Sequence, residues 1–166
     1  NVIFSHVTTE VTSLMSQART IDLVNGEASS GFTMEGYPHR AIFSMPFQGL
    51  TDKGIPTYLN EKGELTSTDL DFQNRNSNGY LIYEGPTEPT ITGSFGNEIK
   101  WKNWRLNVFL TYSFGSYVRL DRIFSAQYND LTSMTKEFKN RWMQAGNEKT
   151  TSVPTILPYR SFASDR

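Results

Sequence analysis

Trp104-Arg105-Leu106-Asn107-Val108-Phe109-Leu110-Thr111-Tyr112-Ser113-Phe114 alternates with a strict period of two. The even positions, Trp104, Leu106, Val108, Leu110, Tyr112 and Phe114, are all apolar or aromatic. The odd positions, Arg105, Asn107, Thr111 and Ser113, are polar, with Phe109 the exception. Successive side chains of a strand point to opposite faces, so this pattern predicts one long strand with one greasy face. Aliphatic residues hold the middle of that face and aromatic rings hold both ends.

The preceding segment has the complementary pattern. Ile91, Phe95, Ile99 and Trp101 share a face with Gly93 and Asn97, whereas Thr90, Thr92, Ser94, Glu98 and Lys100 share the other. Lys102-Asn103, between Trp101 and Trp104, predicts a two-residue hairpin turn, with Asn103 suited to positive φ. Ten steps at ~3.3 Å give ~33 Å of strand, and a tilt of ~40° gives a rise of ~25 Å, the height of the lipid-facing band of an outer-membrane barrel. Trp and Tyr favour the edges of such a band, where one end of the ring is apolar and the other wet. On this reading Trp101, Trp104, Leu106, Val108, Leu110, Tyr112 and Phe114 face lipid. Glu98, Lys100, Arg105, Asn107, Thr111 and Ser113 face a wet lumen or a plug.

Outward from the hairpin, strands are expected over Val2–Val11, Ala41–Leu50, Tyr80–Glu84, Thr90–Trp101 and Trp104–Tyr117, divided by Gly-, Asn- and Pro-bearing turns such as Asn60-Glu61-Lys62-Gly63-Glu64. One helix is expected where Leu131, Met134, Phe138 and Trp142 fall at helical spacing before Gly146. It lies in a long segment from Ser116 to Tyr159, far beyond the ~12–15 residues usual for a structureless connection. Phe138, Arg141 and Trp142 are its candidate partner contacts; the competing reading is a loop packed on itself. The fold class expected is therefore all-β: antiparallel strands forming part of a large transmembrane β-barrel, with one short helix in a long extracellular loop.

The chain has 166 residues, 16 Lys+Arg against 17 Asp+Glu, no cysteine and two histidines. The near-zero net charge and lack of a basic run argue against a nucleic-acid partner. Without cysteine there is no disulfide scaffold, thiol nucleophile or thiolate zinc site. No apolar run reaches the ~18 residues of a transmembrane helix, a test that alternating barrel strands escape. No Ser/His/Asp, Gly-x-Ser-x-Gly, Walker or His-x-x-x-His pattern occurs, so the chain is read as no enzyme, with no catalytic residue, cofactor or metal assigned. His6 and His39 are read as single surface histidines. Asp69-Leu70-Asp71 with Asn74 and Asn76 lacks the Gly and terminal Glu of a calcium loop and is read as a solvated turn.

Gly85-Pro86-Thr87-Glu88-Pro89-Thr90-Ile91-Thr92-Gly93-Ser94-Phe95, followed by Trp101-Lys102-Asn103 and the strand to Gly115, resembles the C-terminal barrel region of SusC/RagA-type TonB-linked outer-membrane transporters. Met34-Glu35-Gly36-Tyr37-Pro38-His39-Arg40-Ala41-Ile42-Phe43 with Phe47-Gln48-Gly49-Leu50, and Glu137-Phe138-Lys139-Asn140-Arg141-Trp142 with Gly146-Asn147-Glu148 and Pro154, resemble further family segments in the family's order. Glu88, Ser94 and Asn103-Trp104 depart from the family's usual Asp, Gly and Gly-Phe, and Arg40 replaces a small residue and is expected to alter a turn. The resemblance implies a barrel of about 22 strands with a plug and TonB box, importing glycan or peptide fragments with a SusD-like surface lipoprotein in the outer membrane of a Gram-negative bacterium. Residues 1–166 would be a partial TonB-dependent receptor barrel region, with plug, TonB box and last strands absent. Its partners would be the SusD-like lipoprotein and TonB, through other parts of the protein, and outer-membrane lipid. The residues alone leave two other readings open: a soluble β-sandwich binding carbohydrate through exposed aromatics, and a fragment of a glycan-processing enzyme.

Overall fold

A computed structural model describes residues 1–24, 31–76, 78–120, 123 and 135–156. The chain is all-β in character. Its strands are β1 (Val2–His6), β2 (Ala41–Ser44), β3 (Phe47–Leu50), β4 (Pro56–Leu59), β5 (Leu65–Thr66), β6 (Ile82–Pro86), β7 (Ile91–Trp101) and β8 (Trp104–Phe114). Helix is confined, among the described residues, to α1 (Thr20–Val24) and two 3-10 turns, Lys136–Asn140 and Asn147–Lys149. The strands pair antiparallel in three sheets, ordered β1-β7-β8, β2-β6 and β3-β4-β5. They fall into two compact units: Asn1–Ser44 with Asp71–Arg119, and Met45–Leu70 with Leu120–Arg166.

The first unit holds the long hairpin. The buried apolar side chains Ala18, Leu23, Ala41, Ile42, Phe43 and Leu81 lie in α1, β2 and the segments beside them, not in the β1-β7-β8 sheet. Phe43 is packed edge-on by Tyr37, with Tyr83 tilted against both rings. Two buried polar residues are satisfied locally: Thr20 Oγ1 donates to Asn78 Oδ1 at 2.7 Å, and Asn78 Nδ2 donates to the Ala18 carbonyl at 2.9 Å. Such pairing removes most of the desolvation penalty of ~1–3 kcal/mol per unmet group. The chain leaving β8 folds back over β6. The Tyr117 amide donates to the Pro86 carbonyl at 2.8 Å, and its ring lies where a side chain on Gly85 would sit.

The second unit pairs β3, β4 and β5 and adds the described part of the long segment. Asn60 Oδ1 accepts the Lys62 and Glu64 amides, both at 2.9 Å, which closes the β4–β5 turn as an Asx turn.

Several expected bounds change. The strand expected over Ala41–Leu50 is two strands in different sheets, β2 and β3, divided at Met45-Pro46. Proline offers no amide to a ladder and restricts the residue before it, so the strand stops there. The first strand ends at His6 and not at Val11; beyond it the Val7 amide still bonds the Thr90 carbonyl at 2.9 Å. Arg40 takes φ 59° immediately before β2. The helix expected over Leu131–Trp142 lies partly outside the described residues. Its described part is a 3-10 turn ending at Asn140, and Arg141 is extended at φ −62°, ψ 152°. Trp142 therefore does not continue the helical face that its spacing predicts.

Candidate functional site: an exposed apolar sheet face

β7 and β8 are each eleven residues long and pair without a break from Ile91↔Phe114 to Trp101↔Trp104. That register puts Ile91, Gly93, Phe95, Asn97, Ile99 and Trp101 on the same face as Phe114, Tyr112, Leu110, Val108, Leu106 and Trp104. β1 extends the face. Val2 pairs with Phe95, Phe4 with Gly93 and His6 with Ile91, so these three side chains join it and Ile3 and Ser5 join the other. The result is an apolar surface three strands wide.

It is uncovered. Exposure along the face runs from 41% for Phe95 to 75% for Trp104, with Val2, Phe4, Ile99, Trp101, Leu106, Leu110 and Phe114 in between. Val108 and Tyr112 are half-buried by their neighbours. A face of this size on a soluble domain ordinarily meets another layer.

Two glycine–aromatic pairs organise the sheet. Tyr112 reaches across Gly93 and donates its hydroxyl to the Ile3 carbonyl at 3.2 Å, spanning all three strands. A Cβ on Gly93 would lie 2.2 Å from that hydroxyl. On the other face the Phe109 ring lies against Gly96, its cross-strand partner, 3.2 Å from where a Cβ would be. This gives Phe109, the one apolar odd position, a physical role: it covers backbone that glycine leaves bare. Its far side is open, at 70% exposure.

The rest of that second face, apart from the exposed Ile3 of β1, is polar. Glu98 accepts from Arg105 Nε at 3.0 Å and from Lys100 Nζ at 3.4 Å, joining three of the predicted lumen residues in one ion cluster near the turn. Asn107, Thr111 and Ser113 are exposed farther along the same face. At the turn itself the positive φ, 52°, belongs to Lys102 and not to Asn103. A two-residue hairpin with positive φ at its first central position has the sign pattern of a II′ turn. The Lys102 ammonium lies 4.9 Å over the Trp101 ring.

The candidate partner loop is folded onto its own unit. Trp142 lies against Gly54, whose φ is 73° and whose missing Cβ would meet the indole at 2.5 Å. The indole N–H donates to Glu148 Oε2 at 3.2 Å, and the Trp142 amide bonds the Val153 carbonyl at 2.9 Å. The Glu148 carboxyl is held below the usual carboxylate range by hydrogen bonds from its own backbone amide, the Trp142 indole and the Gly146 amide. Arg141 stacks over Phe138, 4.5 Å from the ring centre.

One residue carries chemistry that no sequence pattern marks. The Arg119 guanidinium donates to the carbonyls of Val24 and Phe43, both at 2.6 Å, so it ties the C-terminus of α1 to β2. Burial lowers its pKa, and Glu84 opposes the shift.

His6, in β1, lies opposite Ile91 of β7, and His39 Nδ1 is 3.2 Å from Thr33 Oγ1. Asp71 Oδ1 accepts the Gln73 amide at 2.9 Å, an ordinary Asx turn. Among the described residues no three His, Cys, Asp or Glu side chains gather as metal ligands, and no helix is long and apolar enough to cross a membrane. No protein-family model and no curated protein matches the chain.

Proposed function

We propose that the chain is a stretch of wall from a large outer-membrane β-barrel, a TonB-dependent importer of SusC/RagA type carrying glycan or peptide fragments. The single observation that supports this most is the uncovered apolar face of β1-β7-β8, on which β8 has aliphatic side chains at mid-strand and aromatic rings at both ends. Lipid tails satisfy such a face without any second protein layer. The polar opposite face, with its ion cluster, suits a water-filled interior. Strand length supports the same reading, since eleven residues exceed the usual ~5–6 and match a tilted crossing of the ~25 Å band. The ordered resemblance to the family supplies the transport role and the partners, a SusD-like lipoprotein and TonB. A carbohydrate-binding sandwich needs a second sheet packed on this face, and the exposure of its side chains speaks against that.

The chain carries no cysteine, which makes a labelling test direct. Single cysteines introduced at 106, 107, 108, 109, 110 and 111 of the intact transporter, in outer membranes, are treated with a water-soluble maleimide. Wall residues give an alternating record, with 107, 109 and 111 modified and 106, 108 and 110 protected. Uniform modification of all six overturns the proposal.

A further inference from the structure

We propose that the tip of the β7–β8 hairpin is an anchor for an anionic phospholipid, in which Lys102 holds a headgroup phosphate while Trp101 and Trp104 sit at the level of the ester groups. The proposal rests on the barrel-wall reading and names the lipid that the short-turn end of the wall meets. Trp101 and Trp104 form the last cross-strand pair, on the apolar face, with 65% and 75% of their surface exposed. The next row toward mid-strand is Ile99 and Leu106, so the two indoles edge the greasy stripe where it meets the turn. Rings so placed suit the interface between hydrocarbon and headgroups.

Lys102 adds a charge at that edge. It occupies a positive-φ position that glycine or asparagine takes at less cost, and the bend sends its side chain back over the Trp101 ring. Glu98, the carboxylate near this end of the hairpin, is engaged by Lys100 and Arg105. Lys102 has no carboxylate within ion-pair distance among the described residues. An ammonium without a carboxylate partner, held over the first of two paired interfacial indoles, matches the combined chemistry of a phosphate ester with acyl chains below it. Free phosphate satisfies the lysine and has no use for the rings.

The test uses the whole chain with Trp142→Phe, so that emission reports on Trp101 and Trp104 alone. It is titrated with vesicles of phosphatidylcholine, and of phosphatidylcholine with a quarter phosphatidylglycerol. The expected result is a blue shift with both and tighter binding to the anionic vesicles. Lys102→Gln then weakens anionic binding about fivefold, the effect of one lysine near a charged surface, and leaves zwitterionic binding unchanged. Lys102→Arg retains the preference. Lys102→Gly, which relieves the backbone, loses it although the hairpin is no less stable. Lys62→Gln, at the exposed β4–β5 turn, is the control of equal charge and has no effect. Equal effects at Lys62 and Lys102, or equal binding to both vesicles, overturn the anchor and leave the wall reading standing. No blue shift with either vesicle overturns both.

Discussion

Replacing Val108 by arginine, and separately Phe109 by arginine, applies one chemical change to two adjacent residues on opposite faces of β8. Val108 lies four steps from Trp104, which at ~3.3 Å per residue and a tilt of ~40° is ~10 Å above the Trp104 end of a ~25 Å band. It is therefore within ~3 Å of the midplane, where an arginine facing lipid costs ~2–4 kcal/mol. Phe109 is one step nearer the middle, but its side chain belongs to the polar face and its exposed side would meet water. Its loss uncovers Gly96, a cross-strand contact worth ~0.2–1 kcal/mol. The deeper residue is thus expected to be the cheaper to replace, by ~1–3 kcal/mol, which no argument from depth or hydrophobicity alone gives. Urea titration of the intact transporter folded into lipid vesicles measures both. An equal cost at the two positions refutes the assignment of faces to lipid and water. A cost within ~0.5 kcal/mol at Val108, the usual value for a solvent-exposed site, refutes the membrane altogether.

Gly93→Ala drives a methyl group into the Tyr112 hydroxyl and the Ile3 carbonyl, so it should cost ~1–3 kcal/mol and speed hydrogen exchange at the β1 amides before those of the β7–β8 hairpin. Arg119→Met leaves the Val24 and Phe43 carbonyls without their donor and should destabilise the first unit by ~1–3 kcal/mol, seen as faster exchange in α1. The Glu148 carboxyl is depressed in the folded loop, so its contribution is present above the ordinary glutamate pKa and is lost as pH falls through the folded value. Acidification below about pH 4.5 should therefore loosen Trp142, read as its fluorescence with Trp101 and Trp104 replaced by Phe, and Glu148→Gln should remove that pH dependence.

The long hairpin was legible because period two leaves no ambiguity over eleven residues, and because a two-residue turn ties one strand's register to the other's. The share of β1 in the same face was not open to the same reasoning, because Val2, Ile3 and Phe4 are apolar in succession and no period of two marks their sides. Nor was its partner, since pairing between segments so far apart in sequence leaves no local trace. α1, five residues from Thr20, is too short to show a helical period, and β5 is only two residues long. The division at Met45-Pro46 was visible as a proline inside an apolar run, and the run of Ala41, Ile42 and Phe43 outweighed it. At the turn, preference alone favours Asn103 for positive φ, and the geometry of the first central position puts it on Lys102. The spacing of Phe138 and Trp142 suggested one helical face, but hydrogen bonds to Val153 and Glu148 hold Trp142 in the second unit's own packing. Arg119 acts through backbone carbonyls, which no pattern of side chains reveals.

The β1-β7-β8 sheet also dictates an order of assembly. The β7–β8 hairpin closes through two residues, so the entropy lost in starting it is small and it can zip from the Trp pair outward within microseconds. β1 precedes β7 by some 85 residues, yet its ladder partners begin at Ile91, and it has nothing to pair with in this sheet until β7 exists. β1 is therefore a late arrival, docking on a finished template, and Tyr112 closes over it as the final stitch. Until then Val2, Ile3 and Phe4, three apolar residues in a row without a partner strand, are open to non-native contacts.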